Sequence, residues 1–390
     1  MVFKLAWKNI HGAGLRSIIN VFIIALVMIG IIWMQGMYAG WMRMAERQSR
    51  EWQNGDGRYT FRSYDKYDPF SWDKSNGKIP SELQSLVKNN EAVPILISQG
   101  SIYPDGRMIS ITVKGIPYNQ KVLKLPTSEL KDSKYNIPAL IGMNMAKSSH
   151  LKLGDVLTMR WRDIHGAFNA ADIEIVKIMD TPEMEVDNGQ VWIDLARLQT
   201  MKDAEGKATL IVLKNSKDIS FTSADWRFQS IDDLLIDLHN IMKVERAQAL
   251  IMYAILLFLA MIAIFDTQVL AVFKRRKEIG TFAALGMTKR EIIRMFTVEG
   301  MMYAMLASVA SGILGLPLFI YYGTKGWKMP SSYESYGIAG LSDTIIFYYS
   351  PQMILSTIII VILITTVVSW IPTLRIARLK PTDALRGRLS

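Results

Sequence analysis

The sequence lacks several features on which catalysis would depend. None of its 390 residues is cysteine, which excludes disulfide bonds and thiol chemistry. No G-x-x-x-x-G-K-S/T loop is present, so we expect that this chain does not hydrolyse ATP by itself. Its 4 histidines are dispersed without the spacing of a zinc site, and no G-x-S-x-G nucleophile motif occurs. The sequence therefore predicts a non-catalytic chain that binds no metal or cofactor of its own.

Long apolar runs are abundant instead. Apolar residues make up 50% of the chain, and they are concentrated in four segments. Crossing a bilayer takes about 20 predominantly apolar residues. Residues 17–41, 250–273, 296–322 and 351–372 each satisfy that length, which predicts four transmembrane helices. The residues between the first two spans are numerous enough to form a domain with its own core.

The net charge of +10 follows this arrangement. An even number of spans places the basic clusters on one side of the membrane, and the positive-inside rule makes that side the cytoplasm. We therefore expect a bacterial inner-membrane protein with both termini in the cytoplasm and no nucleic-acid partner. Arg43, Arg47 and Arg50 follow the first span on the other side, where a long domain weakens the influence of charge on topology. The clusters are Lys4, Lys8 and Arg16; Lys274, Arg275, Arg276 and Lys277; Lys289, Arg290 and Arg294; and Arg375, Arg378, Lys380, Arg386 and Arg388.

The region between spans 1 and 2 has the pattern of a mixed α+β domain. Strand-like runs over 94–103 and 108–115 flank Pro104-Asp105-Gly106, a strong hairpin signal. The predicted fold class is thus a membrane protein with four transmembrane helices and a large α+β extracytoplasmic domain between spans 1 and 2. Further strands are predicted over 156–161, 172–179, 190–194 and 209–213, helices over 81–89, 143–149 and 194–201, and an exposed loop over 64–78.

Helical periodicity continues beyond the membrane at the end of span 1 and before span 2. Apolar residues recur at helical spacing over 41–52 and 231–242, which predicts a stalk of two packed helices. The alternative is that 231–242 is only the last helix of the domain.

The predicted organisation is a cytoplasmic amphipathic helix over 1–16, spans over 17–41, 250–273, 296–322 and 351–372, a stalk and periplasmic domain over 42–249, a cytoplasmic coupling helix over 274–295, a periplasmic loop over 323–350 and a cytoplasmic tail over 373–390.

The segment that joins spans 2 and 3 carries the most ordered local signals. Ile279, Phe282 and Leu285 give one apolar stripe of a short helix, and Gly286 suits its C-terminal stop. Thr288, followed three residues later by Glu291, is a capping box that starts the next helix. A basic juxtamembrane loop would explain the charges but not this order of helix, stop and cap.

Several motifs resemble those of the FtsX-like permeases, a family that includes lipoprotein-releasing Lol-type and macrolide-exporter MacB-type members. In the joining segment these are Arg276-Lys277-Glu278-Ile279-Gly280, Ala284-Leu285-Gly286 and the downstream Glu299. The other similar stretches are Leu5-Ala6-Trp7-Lys8-Asn9-Ile10, Leu140-Ile141-Gly142-Met143-Asn144-Met145-Ala146, Leu153-Gly154-Asp155-Val156, and Arg378-Leu379-Lys380-Pro381-Thr382-Asp383-Ala384-Leu385-Arg386. Together they extend from one end of the chain to the other.

The resemblance implies a permease subunit of an ATP-driven ABC transporter. Its partners would be a cytoplasmic ATP-binding subunit that holds ATP and Mg, a second permease chain of the same or another sequence, a periplasmic carrier or adaptor, and the lipid bilayer. The function expected first is lipoprotein release from the inner membrane. MacB-type mechanotransmission for efflux, FtsX-like regulation of a cell-wall hydrolase, and a periplasmic sensor are the alternatives. The implied ATPase-coupling residues are Arg276, Glu278, Ile279, Phe282, Leu285 and Gly286.

Two acidic residues lie within the predicted spans. Asp266, where MacB-type relatives tend to have asparagine, is eight residues before Lys274 and hence about 12 Å inside the membrane. A carboxylate there is costly unless it is paired or reaches water. Asp266 is either a functional or partner-contacting group or half of a structural pair, and Glu299 is either bonded within the bundle or part of transport chemistry. Small residues that would allow close helix packing are Gly36, Gly40, Gly312 and Gly315.

Overall fold

The computed structural model describes residues 12, 14–131, 136–163, 165–216, 221, 223–328 and 344–374. Two compact units divide the chain. The membrane unit consists of residues 1–42, 241–328 and 344–390, and the inter-span unit consists of residues 43–240 and 329–343. The predicted amphipathic helix over 1–16 and the cytoplasmic tail lie almost entirely outside the described residues, as does most of the predicted periplasmic loop.

The helices are α1 (Leu15–Ser49), α2 (Pro69–Trp72), α3 (Ser81–Lys88), α4 (Met143–Ser148), α5 (Met184–Asp187), α6 (Leu195–Lys202), α7 (Ile231–Leu234), α8 (Ile236–Lys274), α9 (Arg276–Ala284), α10 (Lys289–Thr324) and α11 (Pro351–Thr373). The strands are β1 (Gly57–Phe61), β2 (Gly77–Lys78), β3 (Ala92–Ile102), β4 (Ile109–Ile116), β5 (Ile137–Gly142), β6 (Val156–Arg162), β7 (Phe168–Met179), β8 (Gln190–Asp194), β9 (Lys207–Ala208), β10 (Leu210–Leu213), β11 (Trp226–Ser230), β12 (Trp327–Lys328) and β13 (Thr344–Ile345).

A nine-stranded mixed sheet forms the centre of the inter-span unit. Its order is β11-β1-β10-β3-β4-β8-β5-β7-β6, and β3 also pairs with β6. The strands from β3 to β6 in that order therefore form a closed ring of six. Only the β4–β8 and β5–β7 pairs are parallel. Closure protects both ends of this part of the sheet, and it leaves β11 as a free edge.

Two hydrophobic clusters cover opposite faces of the long strand β3. Leu96 contributes to a cluster drawn from all six ring strands together with α4 and α6. Ile95 and Ile97 point to the other face, where Trp192, Leu140 and residues of β10 surround them. Because successive side chains of a strand alternate between faces, a strand that is buried on both sides reads as a continuous apolar run. This explains why the pattern over 92–97 is not alternating.

Most of the predicted elements of this unit are confirmed. The hairpin of β3 and β4 pairs from Leu96–Gly115 to Ile102–Ile109, and Asp105 and Gly106 adopt the positive φ values of 49° and 76° that its turn requires. The strands β6, β7, β8 and β10 and the helices α3, α4 and α6 lie at the predicted places within a few residues. The prediction missed β1, β5 and β11, and the expected loop over 64–78 contains α2 and β2.

Four of the described helices are long and apolar enough to cross a membrane: Ser17–Asn54, Ile236–Lys274, Lys289–Thr324 and Pro351–Thr373. In the membrane unit they share a core that includes Met28 of α1, Ile264 of α8, Tyr303 of α10 and Val361 of α11. Many large apolar side chains on the same helices are nevertheless exposed, among them Ile313 at 69%. Such surfaces are unfavourable in water and suit a bilayer. The four predicted spans are confirmed.

The helices of spans 1 and 2 extend beyond the apolar segments. α1 continues to Ser49 and is followed by a π-helical turn over Arg50–Asn54. α8 begins at Ile236, well before the predicted start of span 2 at residue 250. The periodic pattern over 231–242 is divided at Leu235, because Ser230 and Asp233 form a capping box around the short turn α7. α7 is thus a short helix at the end of the domain, and α8 extends the span. The packing of the two extended helices into a stalk stays a prediction.

The buried polar contacts of Lys202 contribute to the stability of the inter-span unit, and this contribution can be tested. Its ammonium is fully buried and binds the carboxylate of Asp73 and the Ser98 hydroxyl at 2.8 Å. Removing one member of a buried, paired set leaves the other without compensation. We expect Lys202→Met to lower the free energy of unfolding of the chain in detergent by about 3 kcal/mol. Lys177→Met, at an exposed position of β7, should change it by less than about 0.5 kcal/mol. Equal melting curves for the two variants would contradict the assignment.

Candidate coupling site between spans 2 and 3

The chain breaks twice between the second and third spans. α8 ends at Lys274, α9 covers Arg276–Ala284, and α10 begins at Lys289. Gly286 has a φ of +94°, a value that side-chain-bearing residues rarely adopt, and it ends the short helix as predicted. The predicted capping box is also confirmed, since Thr288 Oγ accepts from the Glu291 amide and the Glu291 carboxylate accepts from the Thr288 amide at 2.8 Å. Backbone and caps therefore fix the start of α10.

The apolar residues of α9 do not form the single stripe that we expected. Ile279 is 3% exposed, and with the partly buried Phe282 it packs against Val272 of α8 and Phe296 of α10. Leu285 lies outside this cluster and is 78% exposed. The residues with a predicted coupling role are therefore divided between an inner face that holds the helix in place and an outer face that is free. The side chain of Arg276 lies outside the described part of the chain.

An arginine at the first break links the three helices. Arg275 lies between α8 and α9, and its Nη1 is 3.2 Å from Glu299 Oε2 on α10. Its Nε is 3.5 Å from Glu278 Oε2 on α9. The Glu299 side chain is only 3% exposed whereas that of Glu278 is 61% exposed. Because solvent screens the outer pair, the contact with Glu299 is the stronger of the two.

The polar contacts continue from this ion pair into the bundle. Tyr303, one turn along α10, has its hydroxyl 3.5 Å from Glu299 Oε1. The same hydroxyl lies 3.2 Å from Ser17 Oγ of α1. A chain of polar groups thus connects Glu278 on the short helix with Ser17 at the start of the first span. The structure supports the interpretation of Glu299 as a carboxylate bonded within the bundle.

The role of Arg275 was not recognised in the sequence, where it is one of four consecutive basic residues. Its position at the end of an apolar helix was a usable signal, because a cation there can fold back toward a carboxylate one span away. Glu299 was the corresponding signal in α10. Their pairing required knowledge of how α8 and α10 cross.

The structure leaves Asp266 without a partner inside the described part of the chain. It is an exposed residue of α8, on the side opposite the buried Ile264 and Gln268. No described residue forms a hydrogen bond or an ion pair with it. The expectation of a structural pair within this chain is therefore wrong for the described residues, and a partner-contacting role stays a prediction.

The four glycines selected for helix packing differ in their surroundings. A Cβ at Gly36 would meet the ring of Tyr349, and one at Gly40 would lie 2.1 Å from the carbonyl oxygen of Ile346. Both therefore pack against the irregular chain that precedes α11, which corrects the expectation of a helix partner. A Cβ added at Gly315 would lie 3.1 Å from Ile29 of α1, as expected for helix packing. A Cβ added at Gly312 would have no described atom within 4 Å, so a packing role for Gly312 stays a prediction.

Comparison with known proteins identifies a domain of known family. Residues 250–381 match the FtsX-like permease C-terminal domain. This part of the chain is an FtsX-like permease domain. The match supports a multi-pass membrane subunit of the ABC transporter class. The match includes α9 and both breaks around it, so the site described above lies inside the family domain.

One solved structure similar to this chain is the periplasmic region of MacB from Actinobacillus actinomycetemcomitans. The similarity has 13% sequence identity and a TM-score of 0.33, and it covers 48% of this chain and 94% of that chain. No curated protein matches the sequence.

The asymmetry of the Arg275 contacts can be measured with two double-mutant cycles. Arg275→Met removes the ion pair with the buried Glu299 carboxylate and should destabilise the permease by about 3 kcal/mol. The coupling energy between Arg275→Met and Glu299→Gln should be about 2 kcal/mol, and that between Arg275→Met and Glu278→Gln about 0.5 kcal/mol or less. Thermal unfolding of the purified chain in detergent gives both values. Equal coupling energies would contradict the geometry.

Proposed function

We propose that this permease receives the movement of a cytoplasmic ATP-binding subunit through the outer face of α9. The observation that carries the proposal is the division of that helix. Ile279 and Phe282 attach it to α8 and α10, while Leu285 and Glu278 remain exposed. An apolar side chain as exposed as Leu285, next to exposed polar groups, is typical of an anchor that a partner protein covers.

The attachments of α9 favour transmission of movement into the spans. Its inner face is packed with Met295 and Phe296 of α10, and Arg275 joins it to Glu299. α10 then runs without interruption from Lys289 to Thr324, and α8 from Ile236 to Lys274. Close-packed helices shift as bodies and do not deform continuously. A push on Leu285 would therefore displace the cytoplasmic ends of both helices.

The proposed assembly contains more than this chain. The ATP-binding subunit holds ATP and Mg, and a second permease chain completes the membrane part. The assembly lies in the bacterial inner membrane, with the termini and α9 in the cytoplasm and the inter-span unit on the other side. The basic residues that flank the spans support this orientation.

We propose lipoprotein release from the inner membrane as the task of the assembly. The inter-span unit is a complete domain with its own sheet and core, large enough to act on a protein and not only on a small molecule. A periplasmic carrier would then receive the released lipoprotein. Efflux through a periplasmic adaptor and control of a cell-wall hydrolase are the other outcomes of the experiment below.

The decisive experiment is affinity purification of the tagged permease from membranes, with mass spectrometry of its partners and an ATPase assay. We expect a stoichiometric soluble ATPase. Leu285→Arg should abolish its co-purification and reduce the associated ATPase activity at least about tenfold, since it places a charge in the contact. Leu153→Arg is the matched control, because Leu153 is 64% exposed and lies in the inter-span unit.

Three results would overturn parts of the proposal. Purification without an ATPase contradicts the coupling role, as does equal ATPase recovery with both variants. Recovery of an efflux adaptor or a hydrolase in place of a lipoprotein carrier leaves the coupling role intact and refutes lipoprotein release.

A further inference from the structure

A lysine in the inter-span unit is buried without a hydrogen-bond acceptor. Lys114 lies on β4, where Trp192 of β8 is its cross-strand neighbour. It is 6% exposed, and its ammonium is 4.9 Å from the centre of the Trp192 ring. Among the residues that the structure describes, it donates no hydrogen bond and joins no ion pair. A buried ammonium in that state is costly, because the aromatic ring replaces only part of its hydration.

The neighbouring indole N–H also lacks a hydrogen-bond acceptor. Trp192 is completely buried, and its Nε1 has no acceptor among the described residues. An indole N–H is only a donor, so no rearrangement of the side chain can satisfy it without an acceptor. Two adjacent side chains therefore present donors, one of them charged, that no described oxygen accepts. The nearby Gln190 Oε1, two residues along β8, is itself buried without a partner and does not receive either donor.

Lys202 shows what this fold does when it buries a lysine for structural reasons. The same unit supplies Asp73 and Ser98 to that ammonium. Lys114 receives no such pair although both lysines are buried. The contrast indicates that the acceptor for Lys114 comes from outside the chain.

The charges around Lys114 favour an anion over a neutral acceptor. Arg58 is also buried, and it donates hydrogen bonds to the neutral side chains of Asn54 and Gln229. Lys66 pairs with Glu185, and Glu183 lies on the same turn as Glu185. With both carboxylates ionised, the three cations and two anions leave one positive charge. A negatively charged ligand would balance it, whereas a neutral acceptor would not.

Burial acts on the titratable groups in a consistent direction. The pKa of Lys114 is lowered to about 8, mainly by desolvation; Arg58 and Lys66 also lower it, while Glu185 and Glu183 raise it. Burial and the neighbouring Glu185 raise the pKa of Glu183 to about 7. Below pH 7 the ammonium is charged and Glu183 is largely neutral, which makes the surroundings more positive. Tyr64 and Arg58 lie in the same region. Burial raises the pKa of Tyr64 and lowers that of Arg58.

We propose that Lys114 and the indole N–H of Trp192 form a binding site for the carboxylate of a ligand. Lys66 and Glu185, whose side chains are 47% and 42% exposed and whose charges act on Lys114, would lie on the solvent side of this site. The apolar residues on this face of the sheet, including Tyr64 and Trp72, would contact the uncharged part of the ligand. The site is independent of the proposed coupling function.

The test is calorimetric titration of the purified full-length chain in detergent with four probes. N-acetyltrialanine presents a peptide carboxylate, and its C-terminal amide removes only the charge. Octanoate presents the same group on an alkyl chain, and inorganic phosphate is a mainly dianionic control. We expect the peptide acid, octanoate or both to bind. If the peptide acid binds, its amide should bind more weakly by roughly 10- to 100-fold, the loss in affinity for one charge-assisted hydrogen bond.

Variants separate this site from adventitious binding. Lys114→Met should weaken binding of the carboxylate probe by roughly 10- to 100-fold. It should not lower the melting temperature, because it removes an unpaired buried charge. Trp192→Phe should weaken binding by about tenfold or less, and Lys177→Met should leave the affinity unchanged. Affinity should fall as the pH rises through 7 and 8, since Glu183 then ionises and Lys114 loses its proton.

Each remaining outcome decides the question. No binding by either carboxylate, equal binding of acid and amide, or binding of phosphate alone would overturn the proposal. In the first two cases an ordered water between Lys114 and Trp192 would be the acceptor. Should Lys114→Met fail to fold, binding of octanoate and the comparison of acid with amide on the native chain still decide.

Discussion

The ion pair of Arg275 and Glu299 is the constraint on which the membrane unit depends. A carboxylate that is 3% exposed within a helix bundle must have a cation close by. Arg275 can supply it only if α8 ends at Lys274 and the chain turns there. The position of the helix end, the direction of α9 and the packing of α10 against it are therefore coupled to one electrostatic requirement. A shift of α9 cannot occur without a shift of α10 or the loss of this pair.

The division of α9 into two faces follows from the same arrangement. With Arg275 fixed, Ile279 and Phe282 are directed toward Val272 and Phe296, and they close a small apolar core. The residues at the end of the helix then point away from that core, which leaves Leu285 exposed. A helix that is firmly attached on one side and open on the other is suited to pass on a displacement. A mobile loop with the same charges would absorb it.

The sequence predicts what depends on neighbours along the chain. The four spans, the β3–β4 hairpin turn, Gly286 and the Thr288–Glu291 cap are local signals, and the structure confirms them. The errors concern distant contacts. β5 was missed because its buried residues carry no alternation, and Gly36 and Gly40 were assigned a helix neighbour because small residues look alike whether or not a helix lies opposite. The pairing of Arg275 with Glu299 joins positions 24 residues apart, which no periodicity reveals.

The cost of removing a charge from water applies to four charged groups of this molecule, which fall into three cases. Glu299 in the membrane and Lys202 in the inter-span unit have partners in the chain, so their roles are structural. Lys114 has none among the described residues, and we assign its partner to a ligand. Asp266 is the third case, a carboxylate exposed on α8 about 12 Å inside the span. Lipid cannot stabilise that charge. An Asp266 that faces lipid would therefore have to be neutral, whereas a charged Asp266 requires water or a polar neighbour, so the partner-contacting role stays a prediction.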